Sequence, residues 1–490
     1  MTFNSIPFLI FFPVVAGVYF ALPYRWRWAW LLMASCYFYM AFIPVYIAVL
    51  LALIIIDYTM GILIEGAEGR LRKWYLLASI LSTCGVLFIF KYYDFFNANL
   101  SQLAESFHWN YPLESLSLIL PIGLSFHTFQ SLSYVIEVYR KNILAQRHFG
   151  LYALYVMFFP QLVAGPIERP YNLLPQFYQK HDFDCARVIG GMKRMAWGMF
   201  QKVVIADRLA ILVNQVYNHP AQYQGLSLVA ATIFFAFQIY CDFGGYSNIA
   251  VGAGEVLGFR LMPNFRRPYS SRSIPEFWKR WHISLSSWFR DYLYIPLGGS
   301  RAVKSRWAFN ILITFLISGF WHGANWTFMI WGALHGFYYL CSVWTRGFRE
   351  NAVRALRLDQ IPWLHHGIQT AVTFGLICFA WIFFRANSLH DAQYIVSHVL
   401  SGWDQPIGFE NLSLGLTRNE FILAVVLIFS LLLLEGKGDK MAEPEGGTPD
   451  PWWILLRKPV WIRWAVYAAV TLSIMNLGIT ETIPFIYFQF

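Results

Sequence analysis

Charge is what this sequence has least of. Only 13% of its 490 residues are Asp, Glu, Lys or Arg, about half the roughly 25% of an ordinary soluble domain. With 57% apolar residues, too little polar surface remains to coat a water-soluble body. This excludes the row of soluble domains that the length alone would allow. Cysteine pairing is missing as well. Cys36, Cys84, Cys185, Cys241, Cys341 and Cys378 are scattered, with no CxxC. Most lie in apolar stretches and read as small hydrophobes, not as disulfides or ligands. No HExxH run or close His/Cys pair of ligand spacing points to a metal, no Walker A sequence to nucleotide hydrolysis, and no GxSxG elbow to a serine nucleophile. The stretch Met1–Leu22 lacks a basic n-region and a small-residue cleavage site, so a retained span is expected there and not a signal peptide.

What is present in quantity is long apolar runs. Several exceed the about 17 residues that cross the hydrocarbon at about 1.5 Å per residue. Barrel strands would alternate in shorter segments, whereas a helix satisfies its own backbone in lipid. The expectation is an all-α integral membrane protein, one multi-span domain over 1–490. Expected spans are Ile6–Leu22, Trp28–Phe42, Pro44–Met60, Trp74–Phe90, Ser115–Glu137, Phe149–Ile167 and Ala196–Val216. Leu226–Leu257, Trp307–Gly323, Trp326–Trp344, His366–Phe384, Phe421–Leu434 and Val460–Leu477 follow. The polar, glycine-rich run Asp242–Asn248 within Leu226–Leu257 predicts an interrupted helix, which is tolerated at membrane depth only under protein cover. Gly436–Pro451 reads as an exposed connection. No internal repeat is visible, which counts against a transporter built from paired broken halves.

Basic residues set the orientation. Residues 1–24 carry none, the first turn has Arg25 and Arg27, and later clusters are Arg70, Arg72 and Lys73, then Arg140, Lys141 and Arg147. This alternation places the N-terminus outside. The formal net charge of +10 would suggest nucleic acid on a soluble protein. Here it implies positive cytoplasmic loops, and no nucleic-acid partner is expected. Between Arg260 and Arg306 lie ten basic residues and two acids, Glu276 and Asp291, a net +8. The same stretch holds Phe277, Trp278, Trp281, Trp288, Phe289, Tyr292 and Tyr294. Basic and aromatic residues at this density fit an interfacial or re-entrant helix pair in the cytoplasmic leaflet; an anchor for anionic membrane lipids is the plainer reading.

Ionisable residues inside apolar segments are the functional pointers. Of twelve histidines, eight (His108, His148, His181, His219, His365, His366, His390 and His398) fall in polar connections or near span ends. His127 and His335 fall within spans, where a hydrogen bond between helices accounts for them. Two stand out. His322 ends an apolar span in Gly319-Phe-Trp-His-Gly-Ala-Asn-Trp326, and His282 sits in the basic aromatic segment. Imidazole titrates near neutrality and can act as a general base. Gly319, Gly323 and Ala324 leave backbone space for a substrate, and the flanking aromatics supply a dry wall. A structural histidine bonded to a neighbouring helix fits as well. Asp57 and Asp242 are carboxylates in apolar surroundings; Asp242 suits a helix cap or a substrate contact.

The run Glu276-Phe-Trp-Lys-Arg-Trp-His-Ile-Ser-Leu-Ser-Ser-Trp-Phe-Arg-Asp-Tyr-Leu-Tyr-Ile-Pro-Leu-Gly-Gly299 closely resembles the signature of the membrane-bound O-acyltransferase (MBOAT) family. So do Phe320–Trp326, Tyr240–Ser247, Leu120–Phe126 and Phe158–Pro166. The chain looks most like the bacterial branch that acetylates alginate and other cell-surface polymers (AlgI-like), which is related to D-alanyl transfer proteins (DltB). The likeness runs to about residue 385. The resemblance implies a polytopic ring of helices, with re-entrant helices forming a cytoplasmic funnel, a core over about 115–385 and further spans over about 420–480. It implies catalytic residues at His322 and His282, and substrate contacts at Asp242, Ser247, Trp278 and Asn325, with no metal and no bound cofactor. Acetyl-CoA is the implied acyl donor, a polysaccharide the acceptor (alginate-like first, with cellulose and peptidoglycan as alternatives), a periplasmic acetyltransferase the partner, and the bacterial inner membrane the location. D-alanyl or other acyl transfer to a cell-wall polymer, and a non-catalytic transporter or scaffold, stand as alternatives.

Overall fold

The computed structural model describes residues 1–162, 165–403, 414–436, 458–479 and 484–486. Most of the expected connection Gly436–Pro451 lies outside these residues, as do 163–164 of one family motif and the last four residues of the chain. Every regular element among the described residues is helical. Five helical stretches are long and apolar enough to cross a membrane: Tyr46–Gly66, Gly69–Ser106, Leu226–Leu257, Pro362–Arg385 and Val460–Leu477. The chain divides into two compact units, one of Met1–Met195 with Ser247–Met262, the other of Ala196–Tyr246 with Pro263–Phe490.

The first unit opens with helices Ile6–Ala21, Tyr24–Met40, Tyr46–Gly66 and Gly69–Leu87. Ser5 starts the first of them, its side chain accepting from the Phe8 backbone N–H. Asp57 is fully buried and accepts from Ser79 Oγ at 2.6 Å and from Thr83 Oγ1, which ties Tyr46–Gly66 to its neighbour Gly69–Leu87. On the same helix Gly61 makes room for the hydroxyl end of the Tyr134 ring; a Cβ there would meet it at 2.6 Å. Two expected spans are shorter than the hydropathy suggests. Helix Leu124–Tyr139 begins only after Gly123, whose φ of 75° is a turn conformation that glycine adopts without steric cost, so Ser115–Gly123 is not helical. Helix Phe149–Met157 stops at Phe158, with φ −51° and ψ 109°, ahead of Pro160, which has no N–H to extend the ladder.

The long helix Leu226–Leu257 contributes its first two-thirds to the second unit. It is a continuous α-helix of 32 residues, about 48 Å at 1.5 Å per residue. This corrects the break expected at Asp242–Asn248. The glycines there serve packing: a Cβ on Gly245 would stand 2.6 Å from the Gly198 carbonyl, so Gly245 lets two backbones approach closely. Asp242 is not a cap either. Its carboxylate accepts a salt bridge from Lys202 Nζ at 2.8 Å, and Lys202 also reaches Asp207 at 2.7 Å. All three residues are buried. A paired charge inside an apolar helix costs far less than a lone one, so the polar run satisfies itself laterally and the ladder continues.

Candidate active site

The site grows from a kink in the second unit. Helix Ile274–Arg280 starts at Ser273, whose side chain accepts from the Glu276 N–H, and Pro275 occupies its first turn. Glu276 pairs with Arg280 one turn on at 2.7 Å. The helix ends at Trp281, in extended conformation, and Ile283–Phe289 follows at once. Between the two stands His282 with φ 42° and ψ 55°. A non-glycine residue in this left-handed region carries strain of about 1–2 kcal/mol, and such strain persists only where the surroundings enforce it. Here Asn264 does so. Its carbonyl accepts from the Ile283 N–H at 2.9 Å, and its Oδ1 accepts from Ser284 Oγ at 2.6 Å. Asn264 and Ser284 are both buried.

The second histidine arrives on an antiparallel helix hairpin, Lys304–His322 and Trp326–Trp344. Asn325 caps the second arm by accepting from the Thr327 N–H at 3.0 Å. Small residues set the spacing of the arms. A Cβ on Gly319 would collide with the Phe328 carbonyl, one on Gly323 with the Phe328 ring, and one on Gly332 with the Phe315 carbonyl. The room these glycines make is therefore filled by the partner arm, not left for a substrate as the sequence suggested.

The two elements bring His282 and His322 together, with ring centroids 6.4 Å apart and both side chains buried. Aromatic rings enclose them. His322 meets Trp331 at 5.2 Å and Phe384 at 5.4 Å, both edge-on. The Phe243 and His282 rings stand nearly perpendicular, with centroids 4.6 Å apart. Trp281 and Trp381, 5.1 Å apart, extend the wall. An imidazole in so dry a cage makes strong polar contacts with any group admitted to it. A base on one element and a second imidazole on another, a few ångströms apart, can hold a reacting group between them, one taking its proton and the other orienting it.

The other expected site residues are distributed as follows. Trp278 donates its indole N–H to His335 Nδ1 at 3.3 Å, and its ring meets Trp331 edge-on at 5.7 Å. Asn325 is the cap just described, three residues from His322. Asp242 lies one residue before Phe243 and points its carboxylate at Lys202 and at the Ile486 N–H, 2.8 Å away. Ser247 is buried on the same helix but falls in the first unit. Sequence reasoning missed Asn264, Trp331, Phe384, Lys202 and Asp207. Lys202 and Asp207 carried a signal, since both sit inside an expected span where ionisable residues are costly. The ring of Phe485, near the end of the chain, stands 4.4 Å from Tyr246 and 5.9 Å from Phe243.

Residues 71–385 match the model of the MBOAT, membrane-bound O-acyltransferase family, and both histidines fall within that range. The chain is 34% identical to the "Probable alginate O-acetylase AlgI" of Azotobacter vinelandii over the full length of both. It is 34% identical to a "Peptidoglycan O-acetyltransferase" of Helicobacter pylori over 75% of this chain and 72% of that one. A "Teichoic acid D-alanyltransferase" of Streptococcus thermophilus is 30% identical over 45% of this chain and 56% of its own.

Proposed function

The chain belongs to the membrane-bound O-acyltransferase family and is a multi-pass membrane O-acyltransferase, and on that premise we propose that it moves acetyl groups from cytosolic acetyl-CoA across the bacterial inner membrane for O-acetylation of a cell-surface polysaccharide. The observation that carries the reading is the meeting of His282 and His322 in one aromatic cage, 6.4 Å apart. An alginate-like exopolysaccharide is the favoured polymer, because the relative named for alginate matches over the whole chain while the D-alanyltransferase matches over 45% of it.

In the proposed step a ring nitrogen of His322 takes the proton of an acceptor hydroxyl. The hydroxyl oxygen attacks the thioester carbonyl, the carbon–sulfur bond breaks, and the coenzyme leaves as thiolate. The proton on His322 then neutralises that thiolate, so atoms and charge balance. His282 orients the acyl group across the cage. The net +8 of residues 260–306 raises the local concentration of an anionic donor on the cytoplasmic side. A periplasmic acetyltransferase is the proposed recipient that completes delivery to the polymer.

The test is transfer from radiolabelled acetyl-CoA in membranes holding equal amounts of the native chain or His322→Ala. Label reaching a polymer or partner only with the native chain supports the reading. Equal labelling with both makes His322 structural and returns the chain to a transporting or scaffolding role.

A further inference from the structure

Apart from the histidine cage, the first unit holds a cavity of about 230 Å³ around the start of helix Tyr24–Met40. Its lining includes Tyr24, Arg25, Arg27, Trp28, His148 and Gln179, and no carboxylate. Arg27 is the buried member, 8% exposed. Its guanidinium donates to the carbonyls of Leu22, at 3.1 Å, and His181, at 2.6 Å. These bonds satisfy its N–H groups, and its guanidinium lies over the Tyr19 ring, 5.0 Å from the centroid, but no anion offsets its charge. Among the described residues no carboxylate lies within salt-bridge distance of it. The acid that senses its field, Asp182, is exposed and already paired with Lys180 at 2.9 Å. A buried cation without a counter-ion is costly, and an anionic ligand in the adjoining cavity removes that cost.

Three further features select the anion. His148 accepts the Leu151 N–H at Nδ1, 3.2 Å away, so in the neutral ring the proton sits on Nε2, which is left as a donor. The ring is fixed edge-on against Trp28 at 4.6 Å. The helix starting at Tyr24 has no side-chain cap, so its first N–H groups and its dipole favour an anion at the same end. Arg25 and Gln179 complete a rim of donors. The volume is below the roughly 300–1,000 Å³ that encloses a drug-sized ligand. It takes a headgroup and not a whole nucleotide carrier. Tyr24, Trp28 and Tyr178 around the mouth match the aromatic residues that gather at a membrane interface.

We propose that this cavity is a binding site for a phosphate ester, the headgroup of an anionic phospholipid of the cytoplasmic leaflet. The basic first turn, Arg25 and Arg27, places it on that side. The site is independent of the acyl-transfer reading.

The experiment uses the full chain in detergent, with Arg25→Gln and Gln179→Glu as variants. Both positions are exposed, so neither change disturbs the core, and Arg27 with its structural bonds is left alone. Native mass spectrometry reads retained lipid, and thermal unfolding reads protection, on adding phosphatidylglycerol, phosphatidylcholine or glycerol 3-phosphate. The expected result is preferential retention of phosphatidylglycerol, with about a fivefold loss of affinity for each variant. Protection by glycerol 3-phosphate as strong as by the lipid, with the same loss in the variants, keeps the phosphate site and assigns it a soluble source. Equal binding of phosphatidylglycerol and phosphatidylcholine, or variants that bind as the native chain does, overturns the proposal.

Discussion

His282 and His322 meet across 6.4 Å at an interplanar angle of 47°, and only one of them sits on strained backbone. His322 ends a regular helix, whereas His282 is held at φ 42° by the bonds to Asn264. The two positions therefore respond differently to substitution. His282→Gly removes the ring but relieves the left-handed strain, while His282→Ala removes the ring and keeps the strain. The glycine variant is expected to be about 1 kcal/mol more stable to unfolding than the alanine variant. Both should lose acetyl transfer alike. Matched unfolding curves and labelling assays of the two variants decide it; a glycine variant that keeps full activity sinks the functional role of the ring.

Trp278 separates packing from substrate contact. Its indole donates to His335, so Trp278→Phe is expected to cost about 1 kcal/mol of stability, the net worth of one buried hydrogen bond, with KM for the acyl donor unchanged. A several-fold rise in KM at unchanged stability instead assigns the indole to the substrate.

The pattern of legible and illegible features follows the range of the interactions. The bounds Leu226–Leu257, Trp326–Trp344 and Val460–Leu477 were readable to the residue, because hydropathy and turn residues are local properties of the chain. The interruption expected at Asp242 was an error of the same locality. Nothing near Asp242 in sequence reveals that Lys202 pairs with it, or that Gly245 packs on Gly198. His282 and His322 drew notice through their motifs. The rings that enclose them, Trp331, Phe384 and Phe243, come from three separate helices, and no spacing rule assembles them. The glycines near His322 were seen but misassigned, since a gap in one helix shows no sign of what fills it.

Lys202 is the keystone of a buried trio carrying two carboxylates against one amine. Lys202→Met strands both acids in an apolar setting and is expected to lower stability by about 3–5 kcal/mol. Adding Asp207→Asn and Asp242→Asn to the methionine variant removes the stranded charges and should recover most of the loss. The asparagine oxygen at 242 still accepts from Ile486. Thermal unfolding of the single and triple variants in one detergent is the measurement. A triple variant no more stable than the single one shows that charge compensation is not what the trio contributes.

Glu168 gives the first unit a dependence on pH whose sign is fixed. It is fully buried, accepting from the Met262 N–H and from Asn172 Nδ2. Burial pushes its carboxyl up to about 7 from an ordinary 4.5, and those hydrogen bonds offset only part of the rise. The folded chain thus binds this proton more tightly than the unfolded chain does. Between about pH 4.5 and 7 the folded state holds more protons, so stability falls as pH rises through that window, by up to about 1.4 kcal/mol per pH unit. Below the window both states are protonated, and above it both are ionised, so this group contributes no slope. Glu168→Gln keeps an acceptor for Met262 and loses the titration. Its unfolding temperature should vary less between pH 5 and 7 than that of the native chain. Equal slopes for the two proteins show that the titration resides elsewhere.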